Sequence, residues 1–305
     1  MYPCSNPELV AAVSEAGGIG IIQPLSLTYV HGHDFTQGLK YIRSLTPKPV
    51  GLNVIVETSN ATYKKRMQAY IDLALQQGIR FFVTSLGNPR WVVDQVQSHG
   101  GIVYHDVTER KWAQKAVEGG VHGLIAVNGR AGGHAGRAEP MALLDSLAPL
   151  GLPVLAAGGV GTAEQFAALL EAGYAGVQMG TRFIATPECR AHEDYKKAIV
   201  NAHEDDIVLT ERISGVPVAV IRTAYVEAMG TKAGFFARRL LQGRRTKHWM
   251  RNFYTLMSVY KLKRGLNRAT NSKDYWQAGK SVAGIDAIES VKTIVDRFKA
   301  AMPKS

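Results

Sequence analysis

A histidine set among glycines, Asn128-Gly129-Arg130-Ala131-Gly132-Gly133-His134-Ala135-Gly136, follows directly on the apolar run Gly123–Val127. Imidazole titrates near neutral pH, so His134 is suited to take or give a proton in catalysis. The glycines let the backbone pass close to a ligand and reach dihedrals closed to other residues. A buried strand that ends in such a loop delivers one ionisable group, where packing alone favours a larger apolar residue. Two more glycine turns follow apolar runs: Ala156-Ala157-Gly158-Gly159-Val160-Gly161 and Gln178-Met179-Gly180-Thr181-Arg182-Phe183. Their aligned backbone N–H groups suit a phosphate, and Thr181 adds a hydroxyl donor. Asn53 and Gln178, each at a strand end, carry amides that donate and accept at once, as the edge of a heteroaromatic ring requires.

Other polar residues are less decisive. Thr84-Ser85 lies at another strand end, and His105-Asp106 reads either as a supporting hydrogen-bond pair or as a helix entry. A G-x-G-x-x-G fingerprint, an H-E-x-x-H pair and a G-x-S-x-G elbow are all missing, so neither a dinucleotide motif nor a metal site is indicated. Cys4 and Cys189 are far apart in sequence, which suggests neither a disulfide framework nor a cysteine metal site.

The elements that must position these groups alternate regularly. Short apolar runs read as strands at 19–22, 50–56, 80–84, 101–105, 124–127, 153–157 and 176–179. Helical patterns fill the gaps at 34–45, 61–77, 88–98, 109–119, 139–147 and 162–172, after a first helix that begins near Pro7. At its start Ser5 with Glu8 matches a capping box, in competition with Asn6 before Pro7. Gly78, Gly119-Gly120 and Gly173 each close a helix just before a strand. Such repeats predict parallel β/α units buried on both sheet faces. Glycine turns at the ends of several strands converge on the rim of a TIM barrel, a (β/α)8-like fold that shows seven strands and lacks its first. An open seven-stranded sheet is the alternative. Residues 1–185 with 276–305 read as the barrel, and 186–275 as a helical insertion with helices at 190–206, 222–241 and 246–262. Val282, Ile285, Ile288, Val291, Ile294 and Val295 predict a last outer helix within 278–301.

Composition sets the class. The chain has 305 residues, 46% of them hydrophobic, with 31 glycines, which reads as globular and rich in tight turns. No apolar run reaches the length of a membrane span, and a cytoplasmic enzyme is expected. The formal charge of +11 is concentrated: residues 222–273 carry 13 Lys or Arg against one acid, Glu227. This stretch suits an anionic substrate or a solvated helical face better than a nucleic acid, for which no recognition motif is present.

The ordered set of motifs resembles the nitronate monooxygenase family. It runs from Asn6-Pro7-Glu8-Leu9 through Ala16-Gly17-Gly18-Ile19-Gly20, Gly51-Leu52-Asn53, Ala131-Gly132-Gly133-His134, Ala157-Gly158-Gly159 and Gln178-Met179-Gly180-Thr181-Arg182-Phe183 to Trp276-Gln277-Ala278-Gly279. The resemblance implies a TIM barrel that binds FMN without a covalent link. Asn53, Asn128 and Gly132 would then contact the cofactor, and Gly158, Gly159, Gln178, Met179, Gly180 and Thr181 would hold its ribityl phosphate. His134 matches the family's active-site histidine. Met1 matches a methionine that follows the family's first strand, so the missing strand would precede this sequence. The chain departs from the family at Arg130, a cation suited to a carboxylate or nitronate, and at Asp106, where some relatives carry lysine. The implied reaction is oxidation of alkyl nitronates by O2 to a carbonyl compound and nitrite. The alternative is NAD(P)H-dependent reduction of a quinone or an enoyl thioester.

Overall fold

The computed structural model describes residues 1–57, 61–213, 215–232, 259–266 and 275–303. Seven parallel strands form one sheet in sequential order: β1 (Gly20–Ile22), β2 (Val50–Ile55), β3 (Phe81–Ser85), β4 (Ile102–Val107), β5 (Gly123–Val127), β6 (Val154–Ala157) and β7 (Gly176–Gln178). The chain crosses between them through α2 (Phe35–Leu45), α3 (Ala61–Gln76), α4 (Arg90–Gln97), α5 (Arg110–Glu118), α6 (Pro140–Leu147) and α7 (Ala163–Glu171), and α1 (Pro7–Glu15) precedes β1. All seven predicted strands and the six connecting helices are present, with ends displaced by a residue or two. The order without a switch point is that of a barrel wall, not of a doubly wound sheet.

Register explains which side chains reach the inside. Leu52, Val54, Phe82, Val103, Val107, Leu124, Ala126, Val154 and Ala156 pack with helix residues in one large core between the sheet and its outer layer. The alternate residues Val83, Ile125 and Ala157, with Ile21, Phe81, Tyr104, Val127 and Leu155, form a separate cluster on the concave face. Period-two alternation therefore splits each strand between two apolar environments, as a barrel requires. Laterally registered residues share a face, so Asn53 beside Val83, Asp106 beside Ile125 and Gln178 beside Ala157 all point into the concave side.

Local chemistry decides the joints. Asn6 is the N-cap of α1 and Pro7 occupies the first turn, with no side-chain cap bond, so the Asn6-Pro7 start prevails over the Ser5/Glu8 box. Ser5 Oγ instead donates to the Ile21 carbonyl at 2.7 Å, tying the N-terminal segment to β1. At α7 the predicted Thr162/Gln165 capping box is fully formed. Gly20 has no room for a side chain: a methyl built on it would lie 2.0 Å from the Val10 carbonyl oxygen.

Beyond β7 the chain departs from the predicted helices. After α8 (Thr181–Ile184) and α9 (Glu193–Asn201), a two-stranded antiparallel hairpin forms from β8 (Ile207–Thr210) and β9 (Val218–Ile221). It fills the gap between the helices read at 190–206 and 222–241, where Val218-Ala219-Val220-Ile221 is buried and three of its four residues are β-branched. α10 spans only Ala224–Met229, because Gly230 takes a left-handed φ of 68° and ends it. Residues 259–266 are helical. The remainder of the basic segment, including Arg238-Arg239 and Arg244-Arg245, lies outside the described residues. The last predicted helix is divided: a 3-10 turn at Lys280–Gly284 precedes α11 (Val291–Ala300), which Ser290 caps through its hydroxyl. Cys4 and Cys189, distant in sequence, meet in the core as free thiols, with Cys189 Sγ 3.7 Å from the Cys4 carbonyl oxygen. None of the helices among the described residues is long and apolar enough to cross a membrane.

The Gly20 contact gives a direct test of the α1–β1 joint. Gly20→Ala forces a methyl against backbone that cannot swing aside, so we expect a loss of about 3 kcal/mol in the urea-unfolding free energy. Gly32→Ala probes a glycine with open space around it but a left-handed φ of 73°; its cost should stay near 1 kcal/mol.

Candidate active site

The three glycine turns converge. A methyl on Gly158 would lie 2.5 Å from both the Ala131 nitrogen and Asn128 Oδ1, so the turn after β6 is pressed directly onto the histidine loop after β5. Gly158 and Gly159 take φ values of 117° and 84°, a left-handed pair that L side chains rarely adopt. Asn128, fully buried at the end of β5, braces both loops. Its Nδ2 donates to the Gly158 carbonyl at 3.1 Å and its Oδ1 accepts from the Arg130 N–H at 2.9 Å. Both ends of this amide are thus engaged by the protein itself.

The turn after β7 joins through the chain's last third. Gly279 N–H donates to Thr181 Oγ1 at 3.0 Å, and a methyl on Gly279 would lie 2.5 Å from the Gly132 nitrogen. Lys280 N–H donates to the Arg130 carbonyl at 2.9 Å. The segment 276–280 is itself held firmly: Trp276 stacks on Tyr195 with centroids 5.5 Å apart and donates its indole N–H to the Gly265 carbonyl. From the other side, the Ala219 N–H of β9 donates to the Gly133 carbonyl at 2.7 Å. The histidine loop is therefore gripped between the hairpin and residues 276–280, and its glycines make room for backbone against backbone.

His134 emerges from that grip with its surface still open to solvent, in a recess whose surrounding protein atoms hold its pKa below the ordinary histidine value. The imidazole is accordingly neutral at pH 7, the form that accepts a proton. In the turns after β6 and β7, the backbone N–H groups of Gly159, Gly180 and Thr181 make no hydrogen bond among the described residues. Unbonded amides from two adjacent strand ends, beside a threonine hydroxyl that can still donate its proton, are what a phosphate monoester needs.

The other predicted residues divide by face. Asn53 and Gln178 reach the concave side, where the Gln178 side chain lies near Asp106. Met179 turns its side chain into the outer apolar layer with Phe183 and contributes only backbone to the turn. Gly132 is close to Gly279 on one side and exposed on the other. Arg130 is not presented as an anion receptor for a substrate: its side chain lies over Gly159 and forms an ion pair with Glu204, in the turn before β8. His105 belongs to the opposite face. It is registered beside Leu124 of the outer core, shares a 2.8 Å hydrogen bond with Thr84, and burial pushes its pKa down to about 4. The pair therefore supports the helical layer.

Asp106, by contrast, is pushed up to about 7 by burial on the concave face. Period-two alternation along β4 separates it from His105, a distinction the strand's sequence carries once its inward face is known.

This arrangement defines a β/α-barrel wall that gathers three glycine turns and one accessible neutral imidazole at one end. A family model described as nitronate monooxygenase matches residues 1–300, and the chain belongs to that family. Among curated relatives, a (3aS,4S,5R,7aS)-5-hydroxy-7a-methyl-1-oxo-octahydro-1H-indene-4-carboxyl-CoA dehydrogenase of Mycobacterium tuberculosis is 31% identical over 77% of this chain, and the match spans 66% of that protein. A probable nitronate monooxygenase of Staphylococcus saprophyticus is 28% identical, covering 75% of this chain and 76% of its own length. The solved structure of FabK from Thermotoga maritima superposes with a TM-score of 0.79 at 26% identity, over 99% of this chain and 90% of the other.

Asn128→Ala should expose how far the loops depend on one amide. It strands the half-buried Arg130 N–H and Gly158 carbonyl, which predicts a loss of about 1 kcal/mol in chemical denaturation.

Proposed function

We propose that the chain binds FMN at the barrel mouth and oxidises or reduces the α,β-carbons of an acyl thioester. The carrying observation is that Arg130 is committed to Glu204, which leaves neutral His134 as the proton-transfer group that the loop presents. A nitronate brings a full negative charge and calls for a cation beside it, whereas a thioester α-carbon calls for a base. The CoA thioester named for the 31%-identical relative supports the same choice.

The residues fit the cofactor. The amides of Gly159, Gly180 and Thr181 would hold its phosphate, with Gly158 shaping the turn and Gly132 and Met179 lining it through backbone. Asn53 and Gln178 would address the ring's polar edge, and Asn128 would act one step removed by fixing both loops. When bound, the flavin supplies the two-electron acceptor or donor. His134 takes the α-proton of the thioester, and the clamp of Gly133 on Ala219 keeps the imidazole aimed while the substrate is held. The thioester's nucleotide portion carries several phosphates, and the basic run within 222–273 matches that charge.

The family itself supports a second reading, in which an alkyl nitronate and O2 are the substrates and His134 stabilises the nitronate charge. The cytoplasm is the proposed location for either reaction, and residues 1–185 with 276–305 are the proposed barrel around which 186–275 is inserted.

Visible spectroscopy tests the cofactor: protein reconstituted with FMN should retain a flavin spectrum after gel filtration. Anaerobic addition of a saturated acyl-CoA should bleach that spectrum, and NAD(P)H should do so if enoyl reduction is the working direction. Bleaching by an alkyl nitronate alone would favour the second reading. For His134, burial lowers the folded pKa, so the base is neutral above it and lost as pH falls through it. The acid limb of kcat/KM should consequently lie below pH 6.5, and His134→Gln should cost about 10²-fold or more in kcat while the flavin spectrum is kept.

A further inference from the structure

Asp106 ends β4 on the concave face, in register with Ile125 of β5. Its Oδ1 is buried and has no hydrogen-bond partner. Buried polar atoms are nearly always paired, so an orphaned carboxylate oxygen beside a candidate ligand site marks an unfilled contact. The side chain of Gln178 reaches it from β7, and Gln178 is itself directed to the same space. Ile125 from β5 brings no charge. The Met1 side chain packs against Gly180 nearby and brings no titratable group. His105 points to the opposite face and takes no part.

We propose that Asp106 is a contact residue of the flavin site, where its unpartnered Oδ1 carries a proton and donates it to an acceptor atom on the ring's edge. The proposal rests on the FMN reading. An ionised carboxylate is an acceptor alone and would oppose the ring's carbonyl oxygens and unprotonated nitrogens, whereas a carboxylic acid satisfies one of them. Burial has already brought the group to about 7, and a ring acceptor over it favours the protonated form further. The sign follows by linkage: FMN affinity is full below the pKa of the ligand-free protein and falls as pH rises through it, until the bound form ionises too.

The experiment compares wild type with Asp106→Asn, which keeps a donor at nearly the same volume, by titrating FMN fluorescence between pH 6 and 9. A bound-state pKa one unit above the free value gives wild type about tenfold weaker binding at the alkaline end. Asp106→Asn should lose that dependence and keep only what the FMN phosphate contributes to both proteins. Equal profiles would overturn the proposal and assign the titration elsewhere. An infrared difference spectrum of the wild type supplies a readout free of any folding defect in the variant: adding FMN at pH 8 should create a protonated-carboxyl band. Its absence counts against the proposal while leaving FMN binding intact, whereas no FMN binding at any pH would remove both readings.

Discussion

The site depends on two glycines that lie backbone to backbone. Gly132, in the loop after β5, and Gly279, near the C-terminal helix α11, approach so closely that neither tolerates a Cβ. Through this one contact three distant parts of the chain are brought into register. Gly279 N–H also donates to the Thr181 hydroxyl just after β7, and Lys280 N–H to the Arg130 carbonyl, so the histidine loop and the turn after β7 are fixed relative to each other by hydrogen bonds from main-chain donors. Main chain carries little rotamer freedom, so the geometry is set with little entropy left to lose when a ligand arrives.

Electrostatics at the mouth follows from the same construction. Arg130 is neutralised by Glu204, His134 is held neutral by its surroundings, and Asp106 is raised toward neutrality by burial. Fixed positive potential then comes mainly from N–H dipoles of the turns. Such turns suit an anion, while the concave space beside them stays nearly uncharged.

Much of the fold was legible because period-two runs and glycine stops are local signals. Each predicted strand pairs in parallel with its sequence neighbour, and Thr162/Gln165 caps its helix as its spacing implies. The antiparallel hairpin was not, because Ile207–Thr210 and Val218–Ile221 are short runs within a segment whose neighbours favour helices. Their partner choice is decided by burial against Trp276 and the histidine loop. The site was legible as a set of motifs, but the division of labour within it was not. Asn128 braces two loops through its amide, and Arg130 pairs with Glu204, neither of which the motifs alone show. Both outcomes depend on residues more than 25 positions away.

The fastening of Gly133 to Ala219 has an evolutionary corollary. The turns after β6 and β7 are anchored in the barrel wall, whereas His134 sits one residue beyond a contact with the β8–β9 hairpin. Sequence drift in that hairpin can re-aim the imidazole without disturbing the two turns. One barrel wall thereby becomes compatible with several placements of that side chain, and relatives named for unlike substrates accord with such an architecture.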